Sequence, residues 1–349
     1  MPHLRSKIGA ILFLLTACST PRGGEVGVQY FVQAALGQME LLNRARPIPD
    51  VLQDPRLEPR YRAALEEIPQ LKAFVEQMGL KATSNYQEFV DLRRDAVVWV
   101  VSACEPLKLE AKRWSFPVVG EFSYIGWFDR ERALSMRDRL RATGLDADVR
   151  GATAYSTLGW FRDPVLSTLI RKEDPYGFIE TLIHESVHAT LHLKSLSTLN
   201  ESLAQFVAEK LTPIYLEKSQ GKQAAKEFDL DLQESRRRKA LIRDAYSDLE
   251  ILYSSGQDEA TQRERKRIRL EKLRGELQWP QSRELNNATL VQFSTYESGS
   301  VGFEKLWSFC GGSLGAFLAS ISRGEAELRA ASDGALDATL ERLQKYCAR

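Results

Sequence analysis

Several things are scarce in this sequence, and each scarcity removes a class of protein. Only 4 cysteines occur in 349 residues, with no CxxC pair among them, which excludes a cysteine zinc cluster and a dense disulfide framework. Net charge of one sign is also missing: 48 lysines and arginines face 47 aspartates and glutamates, so no global field draws the chain to nucleic acid or to an anionic surface. There is no internal repeat and no low-complexity segment, which argues against a solenoid or a disordered array. The apolar run from Ile8 to Leu15 is far shorter than the roughly 20 residues that cross a hydrocarbon core, so it is not a permanent membrane span. Histidine is rare as well, with 4 in the chain. The 43% apolar content is ordinary for a chain that folds around one large core or two modest ones.

What the first twenty residues do contain is a leader. Arg5 and Lys7 precede the apolar run, which ends in Leu15-Thr16-Ala17-Cys18. This reads as a lipoprotein signal peptide over residues 1–17 with a lipobox, leaving Cys18 as an acylated mature N-terminus that ties the protein to a membrane. The plainer reading is an export signal whose cysteine is incidental. Ser19, where an aspartate would retain a lipoprotein at the inner membrane, points by analogy with lipoprotein sorting to the outer membrane, facing the periplasm, in a two-membraned bacterium. Residues 18–27, with Pro21, Gly23 and Gly24, form a tether. Cys104, Cys310 and Cys347 then remain in a compartment that permits disulfides. They read as buried small hydrophobes, and Cys310 with Cys347 is the pairing to test.

The remaining residues, 28–349, are expected to form one mostly helical α+β domain, with a small sheet and a long helical hairpin. Phe31, Ala35, Met39 and Leu42 recur at helical spacing before Pro47 and Pro49. A second helix is predicted over about Tyr61 to Met78. Ala96 to Val101 is short, β-branched and unbroken, the pattern of a buried strand. Val118 to Phe128 and Asp148 to Thr157 read as extended, with a helix between them from Glu131 to Thr143. Two helices follow, about Gly177 to Leu193 and Glu201 to Lys218. Residues 222–277 are highly charged and read as a helical hairpin turning at Ser254-Ser255-Gly256. Its basic runs, Arg236 to Lys239 and Arg263 to Arg267, are interleaved with acids and read as solvated helix faces, so no nucleic-acid partner is expected. Phe303, Leu306, Phe317 and Leu318 mark a C-terminal helical pair.

The chemistry lies in His184-Glu185-Ser186-Val187-His188, an HExxH motif. Residues four apart share one face of a helix, so His184 and His188 can direct imidazole nitrogens at a single zinc ion. Glu185, beside the first ligand, is placed to take a proton from a zinc-bound water whose pKa falls toward ~7. A catalytic zinc needs a third protein ligand and an open position. Glu201, in Asn200-Glu201-Ser202-Leu203-Ala204, can supply it, in a pattern that resembles the NExxA-like motif of gluzincin zinc peptidases. Its bland reading is a first-turn carboxylate favoured by the helix dipole, with Asn200 as a helix cap. His192 is rejected as a ligand because eight helical residues from His184 span about 12 Å. The metzincin pattern also fails, at Leu191 and Lys194. A bland reading of the whole motif is a core-facing helix with paired surface polar groups. In peptidases of this kind an edge strand ahead of the zinc helix pairs with an extended substrate, and Gly151 to Thr157 is the candidate. Tyr155 and Tyr296 are candidate phenolic donors to a developing oxyanion, though each is more commonly a packed aromatic.

Segments along most of the mature chain resemble a bacterial family known as putative aminopeptidases, typically lipoproteins or envelope proteins. They are Gly37 to Leu42, Trp114 to Val118, Ala154 to Phe161, Asp163 to Thr168 and both candidate metal motifs. The resemblance implies a zincin-like peptidase domain over residues 28–349 and a gluzincin-like site with one zinc per chain, His184, His188 and Glu201 as ligands, Glu185 as base and a peptide as substrate. This chain departs from the family's HELAHQ form at Ser186-Val187 and Ala189, and from its NESFA form at Leu203, changes that bear on packing and substrate preference. The alternatives are a non-catalytic or degenerate zinc-binding scaffold of the envelope that binds peptides, and an amide or ester hydrolase acting on a non-peptide. An intact Glu185 argues against the scaffold, because a structural site closes its fourth position with protein and has no use for a base. Oligomeric state leaves no trace in the sequence.

Overall fold

The computed structural model describes residues 27–116, 120–154, 162–294, 300–331 and 335–347. The protein is predominantly helical with small sheets, an α+β arrangement. In chain order the elements are α1 (Val28–Arg44), β1 (Arg46–Pro47), α2 (Ile48–Leu52), α3 (Pro59–Gln77), β2 (Glu88–Val90), β3 (Val98–Cys104), β4 (Trp114–Phe116), β5 (Gly120–Phe122) and β6 (Ile125–Trp127). Then come α4 (Arg130–Ala142), β7 (Asp146–Ala152), β8 (Val165–Leu166), α5 (Gly177–Thr190), α6 (Ser197–Ser219), α7 (Lys222–Tyr253) and α8 (Glu259–Glu276). The chain continues through α9 (Asn287–Ser294), α10 (Ser300–Phe309), α11 (Leu314–Arg323), α12 (Glu325–Ala330) and α13 (Leu336–Arg342). Among the described residues, no helix is long and apolar enough to cross a membrane.

The chain forms two compact units. The first takes residues up to Pro47, Glu88–Thr168 and Arg238–Phe293; the second takes Ile48–Gln87, Leu169–Arg237 and Ser294 onward. The long helix α7 thus contributes its first half to one unit and its second half to the other.

In the first unit, β3 is the centre of an antiparallel sheet of order β6-β3-β7, with Trp99 opposite Trp127 and Val101 opposite Val149. Helix α4 covers it, burying Ala133, Met136 and Leu140 against Val101, Ile125 and Trp127. Residues 118–128, expected as one strand, divide between two sheets. β5 pairs with β4, whereas β6 pairs with β3, so the chain bends at Ser123 to change partners, and residues 118 and 119 lie outside the described residues. The second half of α7 packs with α8 through Ile242, Ala245, Leu249, Leu270 and Leu273. The hairpin therefore forms with its turn over residues 254–258. Its cations are matched by acids. Arg263 meets Glu259, Arg267 meets Glu264 and Glu271, and the mostly covered Lys266 meets Asp146.

The face of α1 that is buried differs from the expected one. Met39 and Leu42 are exposed, and Gln33, Gly37 and Leu41 are buried instead. Gly37 is the reason: a side chain there would fall inside the ring of Phe128, so the aromatic occupies the space that glycine leaves. Gln33 locks the same contact, accepting from the backbone nitrogen of Phe128 at 3.0 Å and donating to the carbonyl of Gly126.

In the second unit an aromatic core joins Phe206, Phe303, Trp307 and Phe317, with ring centroids 5.5–6.1 Å apart. The C-terminal region is a run of short helices where a pair was expected. Gly311 and Gly312, both with φ near +70°, end α10, and Gly324 sits where α11 gives way to α12. Cys310 and Cys347 are joined by a disulfide, whereas Cys104 is free and buried, its thiol pushed up to about 12 by burial.

Candidate metal centre

The second unit brings three of the candidate residues to one point. Helix α5 buries Phe178, Ile179, Leu182, Ile183, Ser186 and Val187, which leaves Glu180, His184 and His188 in a single row along its side. The hydroxyls of this helix are satisfied internally. Thr181 donates to Gly177 O, Ser186 to Leu182 O and Thr190 to Ser186 O, so none competes for the row. The helix ends at Thr190, where Leu191 turns extended, and a short connector with Ser195 in the left-handed region leads to α6.

Helix α6 begins at Ser197, so Asn200 and Glu201 lie inside it and Asn200 does not cap its start. The bland reading of Glu201 as a carboxylate in the opening turn lapses with that boundary. Small residues Ala204 and Ala208, fully buried, let the backbone of α6 come close to its neighbours. Glu201 then stands opposite His184 and His188, and Gln205 stands opposite Glu180, so the two helices run antiparallel.

The Nε2 atoms of His184 and His188 are 3.1 Å apart; Glu201 Oε2 is 3.3 Å from the first and Oε1 is 3.4 Å from the second. One ligand atom from each residue falls within 4.8 Å of the others. Four-coordinate zinc with bonds of about 2.05 Å separates its ligand atoms by about 3.3 Å. Each observed spacing lies near that value, with a different carboxylate oxygen facing each imidazole, so the three residues can surround one such ion, and the mixed nitrogen and oxygen donor set suits zinc. The chemistry of the donors agrees, because two imidazole nitrogens this close cannot both carry protons directed at each other, whereas one cation between them and the carboxylate satisfies all three.

Electrostatics follow the same geometry. Hydrogen bonds from His184 and then His188 hold the Glu201 carboxyl well below the usual carboxylate range. Burial alone would lower His188, but the hydrogen bond and charge of Glu201, with the charge of Glu185, outweigh it and raise the imidazole above its ordinary value. The half-buried Glu185 is not one of the three converging residues, and its charge acts on His188. The histidine side chains are 17% and 20% exposed while Glu201 is 46% exposed, so the carboxylate side of the cluster is the side that solvent reaches.

Sequence reading missed the layer next to the triad. Gln205 donates to Glu180 at 2.8 Å and to Glu209 at 3.1 Å, and Arg236 pairs with Glu209 at 2.6 Å. Helical spacing carried the signal: Glu180 is four residues before His184, and Gln205 and Glu209 are four and eight after Glu201. Arg236, from the basic run of α7, is thereby an ion-pair partner of that layer. His192 is exposed and two residues beyond the end of α5, away from the row of ligands. Gly151 and Ala152 close the edge strand β7 of the first unit, while residues 155–157 of the expected substrate strand, Tyr155 itself, Tyr296 and Cys18 lie outside the described residues.

Two histidines and a glutamate converging from adjacent antiparallel helices, with a second glutamate beside the first histidine, are the donor arrangement that single-metal hydrolases use. The chain belongs to the family described as putative aminopeptidase, whose model matches residues 29–333. No curated protein and no solved structure matches it.

Proposed function

We propose that this protein is a zinc-dependent peptidase, acting as an aminopeptidase, with His184, His188 and Glu201 as ligands to one zinc and Glu185 as the general base. The observation that carries the reading is the set of 3.1, 3.3 and 3.4 Å separations among the three donor residues. Family membership supports the peptidase class.

Bound there, zinc would polarise the scissile carbonyl and make water acidic enough to attack at neutral pH. The protein's own groups do the rest. Glu201, held ionised by its two histidine partners, contributes negative charge that balances the cation. Glu185 accepts a proton from the attacking water and delivers it to the leaving amine. Ile183 and Val187, both fully buried, fix the helix that carries these groups. Tyr155 and Tyr296 are the candidates for an oxyanion donor, each tested by substitution with phenylalanine. The leader sequence supports export and acylation of Cys18, which would hold the enzyme on a membrane of the cell envelope.

The test is metal content and peptide hydrolysis of a soluble form beginning at Ser19. The wild type should hold about one zinc per chain and release residues from peptides with a free α-amine faster than from N-acetylated ones. Glu185→Gln should keep the metal and lose roughly 10²–10⁴-fold in turnover. Glu201→Ala should bind zinc far more weakly, through the two histidines alone. Zinc without turnover of any peptide, indifferent to Glu185→Gln, would identify a scaffold instead, and a protein that takes up no zinc would end both readings.

A further inference from the structure

Two residues of the site's framework carry no role in the chemistry above, and their pairing sets where Glu201 can be. Asn200 is 2% exposed and Leu193 is 1% exposed. The Asn200 side chain donates through Nδ2 to Leu193 O at 2.8 Å and accepts at Oδ1 from Leu193 N at 2.9 Å. A carboxamide offers the same donor and acceptor as a peptide group, so it satisfies both backbone groups of a buried connector residue at once. Leu193 O also receives Leu196 N at 3.3 Å, and Leu196 O receives the backbone nitrogen of Asn200 at 2.9 Å. The connector is thus closed onto the first turn of α6 by both the main chain and the side chain of one residue.

The neighbours of this clamp are the ligands. Upstream, Leu191 N still bonds Val187 O at 2.8 Å, which ties the connector to the turn of α5 that holds His188. Downstream, Glu201 is the next residue. With Leu193 gripped by Asn200, the first turn of α6 cannot turn away from the connector without breaking two buried hydrogen bonds. The same constraint holds the Glu201 carboxylate at 3.3–3.4 Å from the two Nε2 atoms.

We infer that Asn200 is a positioning residue for the third metal ligand, acting through its two-point grip on Leu193. The inference rests on the zinc reading of the triad. Groups that orient a ligand without touching the metal typically change metal affinity by roughly 10–100-fold. Asn200→Asp keeps the shape but turns the donor into an acceptor facing Leu193 O, and Asn200→Ala removes both bonds.

The experiment measures zinc affinity by chelator competition, and the visible spectrum of the cobalt(II)-loaded protein, for wild type, Asn200→Ala, Asn200→Asp and Thr212→Val. Thr212 is a control on the same helix, a fully buried hydroxyl bonded to Ala208 O at 2.8 Å. Both Asn200 variants should bind zinc roughly 10–100-fold more weakly and shift the cobalt spectrum, while Thr212→Val matches wild type. In a Glu201→Ala background, removing the Asn200 side chain should cost no further affinity. Wild-type affinity and spectrum in Asn200→Ala, or an equal loss in both backgrounds, would overturn the inference and leave the zinc reading intact. A wild-type protein that binds no zinc would overturn both. Should the Asn200 variants not fold, hydrogen exchange of the wild type decides. Zinc should slow the Leu193 amide more than the Thr212 amide, and equal slowing sinks the idea.

Discussion

Gln205 Nε2 lies 2.8 Å from Glu180 Oε1, a bond between two helices one turn away from the histidine–glutamate triad. Burial, reinforced by the charges of Glu209 and Asp174 and opposed by Gln205 and His184, pushes the Glu180 carboxyl up to about 6. The folded protein therefore binds a proton here that the unfolded chain, titrating near 4.5, has already lost. Stability contributed by this group falls as pH rises from about 4.5 through about 6. Glu180→Gln keeps an acceptor for Gln205 and cannot ionise. In the zinc-free protein it should match wild type near pH 4 and exceed it by up to about 2 kcal/mol above pH 7, as read from urea unfolding across pH. A constant difference across that range would mean that Glu180 ionises normally.

The histidine–glutamate cluster has its own pH signature. Raised His188 contributes stability that is fully present below about 6.5 and is lost as pH rises through its folded value. Lowered Glu201 contributes stability present above about 4.5 and lost as pH falls through its folded value. The zinc-free protein should accordingly gain most from this pair between about pH 4.5 and 6.5, and Glu201→Ala should flatten that maximum.

Because zinc binds neutral imidazole, loading it near the lower end of neutrality should release protons, measurable as a buffer-dependent heat in calorimetry. Apparent affinity should climb with pH until His188 is deprotonated in the free protein. Buffer-independent heats at pH 6 would remove His188 from the ligand set.

Gly37 tests the first unit independently of the metal. Gly37→Ala forces a methyl group into the Phe128 ring and should cost about 1–3 kcal/mol in urea unfolding. Phe128→Leu should cost stability alone but recover part of the loss when combined with Gly37→Ala, since the smaller side chain yields the space. Additive losses in the double variant would show that the ring is not what confines this position.

Local patterns were the legible part of this protein. The spacing of His184 and His188 is set by a single helix, so four residues of sequence specify it, and the hairpin of α7 and α8 announced itself through uninterrupted charge and the Ser254-Ser255-Gly256 break. Glu201 was reachable because it sits in a short recognisable pattern, Asn200 to Ala204, on the very next helix. Contacts across distance were not. Nothing near Met39 and Leu42 reveals that Phe128, some ninety residues on, leans on Gly37 and turns α1 by part of a turn. The bend at Ser123 depends on which of two sheets each half of the segment joins, a choice made by β3 and β4. Asn200 looked like a cap because caps are local, whereas its partner Leu193 sits in the preceding connector.

The bond between Cys310 and Cys347 encloses α11, α12 and α13 in a covalent ring. A single cut inside that ring would leave the polypeptide in one piece by mass and by migration on a gel, so long as no reductant is added. Damage to this end of the chain would pass unseen until the sulfurs were separated, and for a cut ahead of α13 the bond from Gly302 N to Asp337 Oδ1 and the Lys305–Glu341 ion pair would hold its two sides together.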